Sequence, residues 1–326
     1  MKDRVVSGYR PSGRLHLGHY HGNLKNMISL QETHECFFFV ADWHALTTGY
    51  RDTSMFGTYT TDMVLDWMAA GLDPDRCTVY RQSDIESIPE LVLYFGMILG
   101  LGELERCPTY KEQLRELRMQ STYGFLGYPV LMAADILVVE GELVPVGEDQ
   151  LPHLELTREI ARRFNSLYGD TFPEPQPILS NAPKIPGTDG RKMSKSYGNH
   201  ILLDEDVEDV RLKVRKMITD PARKRRQDKG HPEVCSVFQL YRVYFADELS
   251  VVEGECRSAA VGCTDCKDRL ALRIAEDLAG FRSRRKELSR NPEVVGKILG
   301  SGAEKVRPIA AKTLARARAR MDIGSL

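Results

Sequence analysis

Apolar and polar positions alternate in blocks along the first half of the chain. Arg4-Val-Val-Ser7 reads as a short strand, Gly8 to Gly13 as a turn, and helical spacing sets in near Leu17. The run Cys36-Phe-Phe-Phe-Val40 is continuously apolar, as a strand covered on both faces must be. Residues 53–70 repeat apolar side chains at helical spacing, Thr78-Val-Tyr80 and Leu143-Val-Pro-Val146 read as further strands, and a helix follows through Leu154 and Phe164. Strands separated by helices predict an α/β fold with a doubly wound, parallel, Rossmann-like sheet. Segment 100–130 interrupts this alternation and reads as an insertion. Beyond about residue 200 only amphipathic helix is expected, with Phe238, Tyr241, Tyr244 and Phe245 as a core stripe. The expected organisation is therefore a catalytic domain over residues 1–200 and an all-helical domain over residues 201–326.

Composition excludes some classes. With 326 residues and 42% apolar content, the chain is long enough for two cored domains and too polar for a membrane protein. Met1-Lys-Asp-Arg4 and the two valines after it lack a signal-peptide core, so a cytoplasmic protein is expected, with its seven cysteines as thiols or metal ligands. The net charge of −1 conceals a segregation. Residues 1–190 hold 16 Lys and Arg against 26 Asp and Glu, a net of −10, whereas residues 191–326 hold 29 against 20, a net of +9. The second part is thus a candidate polyanion surface, with basic runs at 211–216, 223–226, 282–286 and 316–320, although solvated helix faces explain part of that charge.

In a doubly wound sheet, ligands gather where strands end, which directs attention to the first turn. There Arg10-Pro11-Ser12 leads into His16-Leu-Gly18-His19, two imidazoles three residues apart at a helix start with a glycine between them. Free N–H groups and the helix dipole attract anions at such a terminus, and both imidazoles add donors for phosphate. A zinc site with His21, His34 and His44, or simple helix-cap histidines, are the rival readings. A second segment, Lys192-Met193-Ser194-Lys195-Ser196, follows a glycine-rich stretch at 187–191 and carries two ammonium groups and two hydroxyls. Such a loop suits charge developing on a triphosphate, although in isolation it also reads as a solvated basic loop.

His16-Leu-Gly-His19 resembles the HIGH motif of class I aminoacyl-tRNA synthetases, and Lys192-Met-Ser-Lys-Ser196 matches their KMSKS motif, in the family's order. Gly127-Tyr-Pro-Val-Leu-Met-Ala-Ala-Asp-Ile136, Val144-Pro-Val-Gly-Glu-Asp-Gln150 and His153 to Arg158 are similar to the tryptophanyl group, over most of residues 4–245. The resemblance implies ATP-dependent activation of tryptophan, with magnesium, followed by transfer to tRNA(Trp). It implies that His16, His19, Lys192 and Lys195 act on the phosphates. Arg10, Pro11, Ser12, Gly18, Gly147, Glu148, Asp149, Ile185, Met193, Ser194 and Ser196 would line the ATP site. Arg10 stands where many bacterial relatives carry Gln. Met132, Asp135 and Gln150 would hold tryptophan, with Asp135 accepting the indole N–H and polarisable Met132 against the ring. The structural alternatives are a helix-end aspartate at 135 and an acidic helix start at 148–149. A homodimer is expected from the family alone.

Cys235, Cys256, Cys263 and Cys266 form a C-x20-C-x6-C-x2-C pattern, whereas Cys36, Cys77 and Cys107 are scattered. Paired zinc knuckles are absent, since Cys263 and Cys266 are the sole close pair. The spacing resembles a subset of the tryptophanyl group that holds a [4Fe–4S] cluster in the helical domain; Zn2+ and unmetallated thiols remain as alternatives. Two other functions compete: a nucleotidyltransferase acting on a small cofactor precursor, for which the basic helical part is superfluous, and a catalytically silent RNA-binding relative, which the intact motif residues disfavour.

Overall fold

In the computed structural model, which describes residues 2–108, 110, 111, 114, 121–179 and 185–324, a parallel sheet of five strands runs in the order β3-β2-β1-β4-β5. The strands are β1 (Arg4–Tyr9), β2 (Glu35–Val40), β3 (Thr78–Arg81), β4 (Leu143–Val146) and β5 (Gln176–Leu179). Consecutive residues of β1 and β2 face opposite layers. Val5, Phe38 and Val40 join one core cluster with the helix Phe56–Ala70, while Val6, Phe37 and Phe39 join another with the helices Ser87–Ile98, Tyr128–Leu137 and Leu151–Tyr168. Burial on both faces accounts for the uninterrupted apolar run of β2.

Two details differ from the sequence reading. Gly8 lies inside β1, which extends to Tyr9, so the turn begins at Arg10. β5 is an additional strand, with too few residues and too much polarity to signal itself; Pro177 is tolerated there because β5 is an edge strand. The expected helix from Leu17 forms in pieces, Leu17–His19, a π-helical turn Tyr20–Leu24, then Lys25–Leu30. Of the segment 100–130, residues 109, 112, 113 and 115–120 lie outside the described residues.

After residue 200 the described elements are helical, among them Val207–Lys216, Ser236–Tyr244, Leu249–Arg257, Cys263–Asp277, Ala279–Leu288 and Val294–Arg320. They share apolar contacts with the sheet layers, since Val210, Leu240, Leu270 and Phe281 belong to the same cluster as Val5 and Trp67. The last of these helices returns to β3 so closely that a Cβ on Gly302 would stand 1.9 Å from the Val79 carbonyl oxygen. Among the described residues no helix is long and apolar enough to cross a membrane.

Candidate active site

β1 and β4 are neighbours from distant parts of the chain, so the order of connections reverses between them and a crevice opens past their carboxyl ends. The Arg10–His19 turn leaves β1 there, Gly147–Gln150 leaves β4, and the residues after β2 and β3 reach the same end.

The two signature segments meet in this crevice through backbone pairing. Leu17 N–H donates to Ile201 O at 3.0 Å and Leu203 N–H to Leu15 O at 3.0 Å, so the chain just past the lysine loop is fastened beside the first turn. The Lys195 ammonium donates to Ser12 O at 2.6 Å, linking residues 183 apart in sequence. Burial pushes that lysine down to about 8, against the pull of Asp66 and Asp62. Lys192 and Ser196 are exposed, Met193 is buried, and the Ser194 hydroxyl oxygen accepts from Ser196 N–H at 3.3 Å. The loop's shape rests on Asn199, which sequence reasoning passed over. Its Oδ1 accepts Ser194 N–H at 2.8 Å, while its Nδ2 donates to Asp189 Oδ1 at 2.7 Å and Lys192 O at 3.2 Å. A Cβ on Gly187 would come within 2.2 Å of that amide, so a glycine is required there. Ile185 is buried and its carbonyl accepts Met193 N–H at 3.0 Å, which ties it to the loop.

His16 and His19 stack with ring centroids 3.7 Å apart. His16 Nδ1 accepts Gly18 N–H at 3.1 Å, and His19 Nδ1 accepts His16 N–H at 3.2 Å. Burial, followed by Lys195 and His200, pushes His16 down to about 3, and burial with the neighbouring His16 holds His19 well below its usual range. Both rings are therefore neutral with the proton on Nε2, and each offers a hydrogen bond, not a charge, to an anion. His200, whose ring lies 5.9 Å from that of His16, is a third imidazole that no motif signalled. The zinc alternative dissolves here, because His21 pairs with Tyr244 OH at 3.0 Å, His34 with Thr33 at 2.7 Å and His44 with Asp135 at 2.9 Å. Arg10 and Ser12 are exposed at the mouth, Pro11 is buried, and Gly18 is close enough to His16 that a Cβ would stand 2.9 Å from the ring.

Deeper in the crevice, Asp135 is 1% exposed in the last turn of the helix Tyr128–Leu137. Its Oδ2 faces His44 Nε2 at 2.9 Å, and Gln82 Nε2 donates to both its oxygens at 2.8 Å. Burial pushes this carboxyl up, and the His44 and Gln82 hydrogen bonds oppose the shift. Gln82 follows β3 and is fully buried; its Oε1 accepts Trp43 N–H at 3.0 Å, which orients the amide toward Asp135. A glutamine without a motif carries no sequence signal for this task. Met132 is half-buried on the same helix. Tyr128 OH lies 2.5 Å from His153 Nε2, His153 Nδ1 is 3.0 Å from Gln150 Oε1, and Gln150 Nε2 donates to Asp149 Oδ2 at 3.0 Å. Glu148 and Asp149 are exposed at the rim after Gly147.

The four clustered cysteines are half-buried in the helical region. Burial pushes Cys266 up to about 11, with Cys235 and Cys256 adding to the shift, so the thiols lie near one another. A Cβ on Gly230 would stand 2.5 Å from Cys256 Sγ. Among the described residues, however, no three His, Cys, Asp or Glu side chains stand in an arrangement that would hold a metal ion. The basic runs are not equally available. Arg316 and Arg318 pair with Glu140 and Glu90, Arg285 is buried, and Arg211 and Arg215 share Asp268, whereas Lys224, Arg225, Arg226 and Lys229 are exposed.

A family model described as class I tRNA synthetases (W and Y) matches residues 2–279. The chain is 49% identical to a tryptophan–tRNA ligase of Thermotoga maritima, over 98% of this chain and 99% of that one. It is 42% identical to that of Aquifex aeolicus, over 98% and 100%. Among solved structures, tryptophanyl-tRNA synthetase from Campylobacter jejuni in complex with ADP and tryptophan superposes with a TM-score of 0.88 at 30% identity, covering 98% of this chain and all of that one. Joined motif segments, a crevice at the sheet's switch point and near full-length likeness lead to one conclusion: the chain belongs to the tryptophanyl-tRNA synthetases of class I.

Proposed function

We propose that the protein is a cytoplasmic tryptophan–tRNA ligase, which activates L-tryptophan with ATP and transfers it to tRNA(Trp). The observation that carries this reading is the buried Asp135 between His44 and Gln82, at the end of the sheet where Lys195 meets Ser12. A buried carboxylate oriented by His44 and Gln82 keeps lone pairs that an indole N–H can meet and a phenyl ring cannot. Met132 contributes a polarisable wall, and Gln150, held through His153 and Tyr128, presents polar atoms toward the amino acid's ammonium.

Activation joins the tryptophan carboxylate to the α-phosphate and releases pyrophosphate. ATP arrives with magnesium, which neutralises part of the phosphate charge. Lys192 and Lys195 supply the remaining cationic charge, His16 and His19 donate hydrogen bonds from Nε2, and the ammonium of Lys195 must leave Ser12 O to reach phosphate. Arg10, Pro11, Ser12 and Gly18 form one wall of the nucleotide site. Gly147, Glu148, Asp149, Ile185, Met193, Ser194 and Ser196 form the other. With labelled pyrophosphate and ATP, tryptophan alone among the standard amino acids should support exchange; equal or faster exchange with tyrosine would overturn the specificity.

Residues 1–200 carry activation and residues 201–326 dock tRNA in this reading, with exposed Lys224, Arg225, Arg226 and Lys229 as phosphate contacts. A homodimer is supported by an apolar groove of about 610 Å³, lined by Trp43, Val92, Leu99, Leu101 and Tyr123, beside exposed Leu93 and Met97. Cys235, Cys256, Cys263 and Cys266 would hold a [4Fe–4S] cluster as four thiolates, with Arg223 and Lys267 nearby to balance their charge. Zn2+ in the same thiols is the alternative. Protein purified without oxygen should be brown, absorb broadly at about 400 nm and carry about four irons per chain. Cys263→Ser should impair tRNA charging more than pyrophosphate exchange. One zinc and no iron on metal analysis would exclude the cluster.

A further inference from the structure

Arg285 belongs to a basic run by sequence, yet the fold buries it beneath the first turn. At 7% exposure it donates Nε to Asp66 Oδ1 at 2.7 Å and an Nη to Asp62 Oδ1 at 2.7 Å, while its other Nη reaches Ser289 Oγ. Asp66, 1% exposed on the helix Phe56–Ala70, uses its second oxygen to accept Leu15 N–H at 2.7 Å. Leu15 immediately precedes His16, and its carbonyl pairs with Leu203 N–H at 3.0 Å just past the lysine loop. A single carboxylate thus joins a guanidinium of the helical region to the backbone from which the phosphate-facing imidazoles project.

Resting on the tryptophan-activating reading above, we propose that Arg285 is a positioning residue for ATP, acting through Asp66 to hold the Leu15–His19 backbone in register with the lysine loop. Two physical points support it. A guanidinium held at Nε by Asp66 and at an Nη by Asp62 is directional, so Asp66 has one orientation and Leu15 N–H one acceptor position. Second, Asp62 and Asp66 both attract the Lys195 ammonium. Arg285 balances their charge, and without it buried Asp66 and half-buried Asp62 would compete with phosphate for that lysine. Small displacements at such a site are costly, since misplacement by about 1 Å lowers a rate by roughly 100-fold.

The test is tryptophan-dependent pyrophosphate exchange by the full chain, with tryptophan affinity and thermal melting measured on each variant. Arg285→Met should raise the KM for ATP and lower kcat, together by about tenfold or more in kcat/KM, with the tryptophan Kd within about twofold of the parent. Arg285→Lys, which keeps the charge and loses the fork, should recover part of that deficit, and Asp66→Asn should match Arg285→Met. Arg284→Ala removes a docking contact from the same helix, the 2.7 Å bond from Arg284 Nε to Ala69 O, and should leave the KM for ATP unchanged. Should Arg285→Met fail to accumulate as folded protein, Arg285→Lys and Asp66→Asn decide between the same outcomes. Folded variants with parental ATP kinetics would overturn the proposal, as would parallel losses of tryptophan affinity and melting temperature. A parent protein without tryptophan-dependent exchange would instead overturn the functional reading itself.

Discussion

Lys195→Ala should slow adenylate formation by roughly 100-fold or more and leave tryptophan affinity nearly unchanged, because its charge is matched to phosphate in the transition state. The resting geometry explains why the effect falls on rate. In the structure the ammonium is engaged with Ser12 O at 2.6 Å, so its interaction with phosphate replaces an existing bond and adds little to ground-state affinity. Burial sets a pH consequence as well. With its proton loss brought down to about 8, the ammonium is the dominant form at neutral pH and disappears as pH rises through that value. The kcat/KM for ATP should therefore decline above about pH 8, and rapid-quench measurement of adenylate at a series of pH values checks both expectations. Tryptophan binding that weakens as much as the rate would make the lysine loop a structural element.

The second large effect is expected at Asp135. Asn is nearly isosteric, yet both carboxylate oxygens face donors: Gln82 Nε2 at 2.8 Å from each, and His44 Nε2 at 2.9 Å from Oδ2. Whichever way an asparagine amide turns, its NH2 confronts a donor, and the pocket loses the charge that an indole N–H would meet. Selection of tryptophan over phenylalanine and tyrosine should fall by at least about 2 kcal/mol in relative kcat/KM, the scale of a charged hydrogen bond lost in a buried site. Unchanged discrimination in the Asp135→Asn variant would reduce this aspartate to a packing role.

The contrast between legible and hidden residues has a physical origin. β1, β2, β3 and β4 are visible because buried strands demand apolar runs, and the two motif segments because together, in the family's order, they resemble its signatures. Those signals are local. Gln82 and Arg285 act through partners far away in the chain, Asp135 for Gln82 and Asp66 and Asp62 for Arg285, whereas Asn199 acts on its own loop, through Ser194, Asp189 and Lys192. An amide or guanidinium has no periodicity that distinguishes a buried orienting role from a solvated one. The charge count overstates the free basic surface for the same reason, since Arg316 and Arg318 pair with Glu140 and Glu90 within the fold. β5 is hidden because none of its four residues is buried, so it carries no apolar run of the kind that marks β4.

The close seat of the Val294–Arg320 helix on β3 has a consequence for the order in which the molecule comes together. Gly302 lets the two backbones touch, and Arg307 Nε donates to Asp84 O at 3.1 Å, across 223 residues of chain. During synthesis β3 is made early, but the helix that packs against this edge strand emerges only after the nucleotide crevice, the cysteine cluster and most of the basic surface have left the ribosome. Until then an unpaired strand margin faces solvent beside the apolar side chains that Val306 and Ala310 will later cover, which is the state most open to capture by another nascent chain. The seat on β3 is thus completed by the Val294–Arg320 helix, and a bulkier residue at Gly302 would leave it unfilled even where every earlier element had formed.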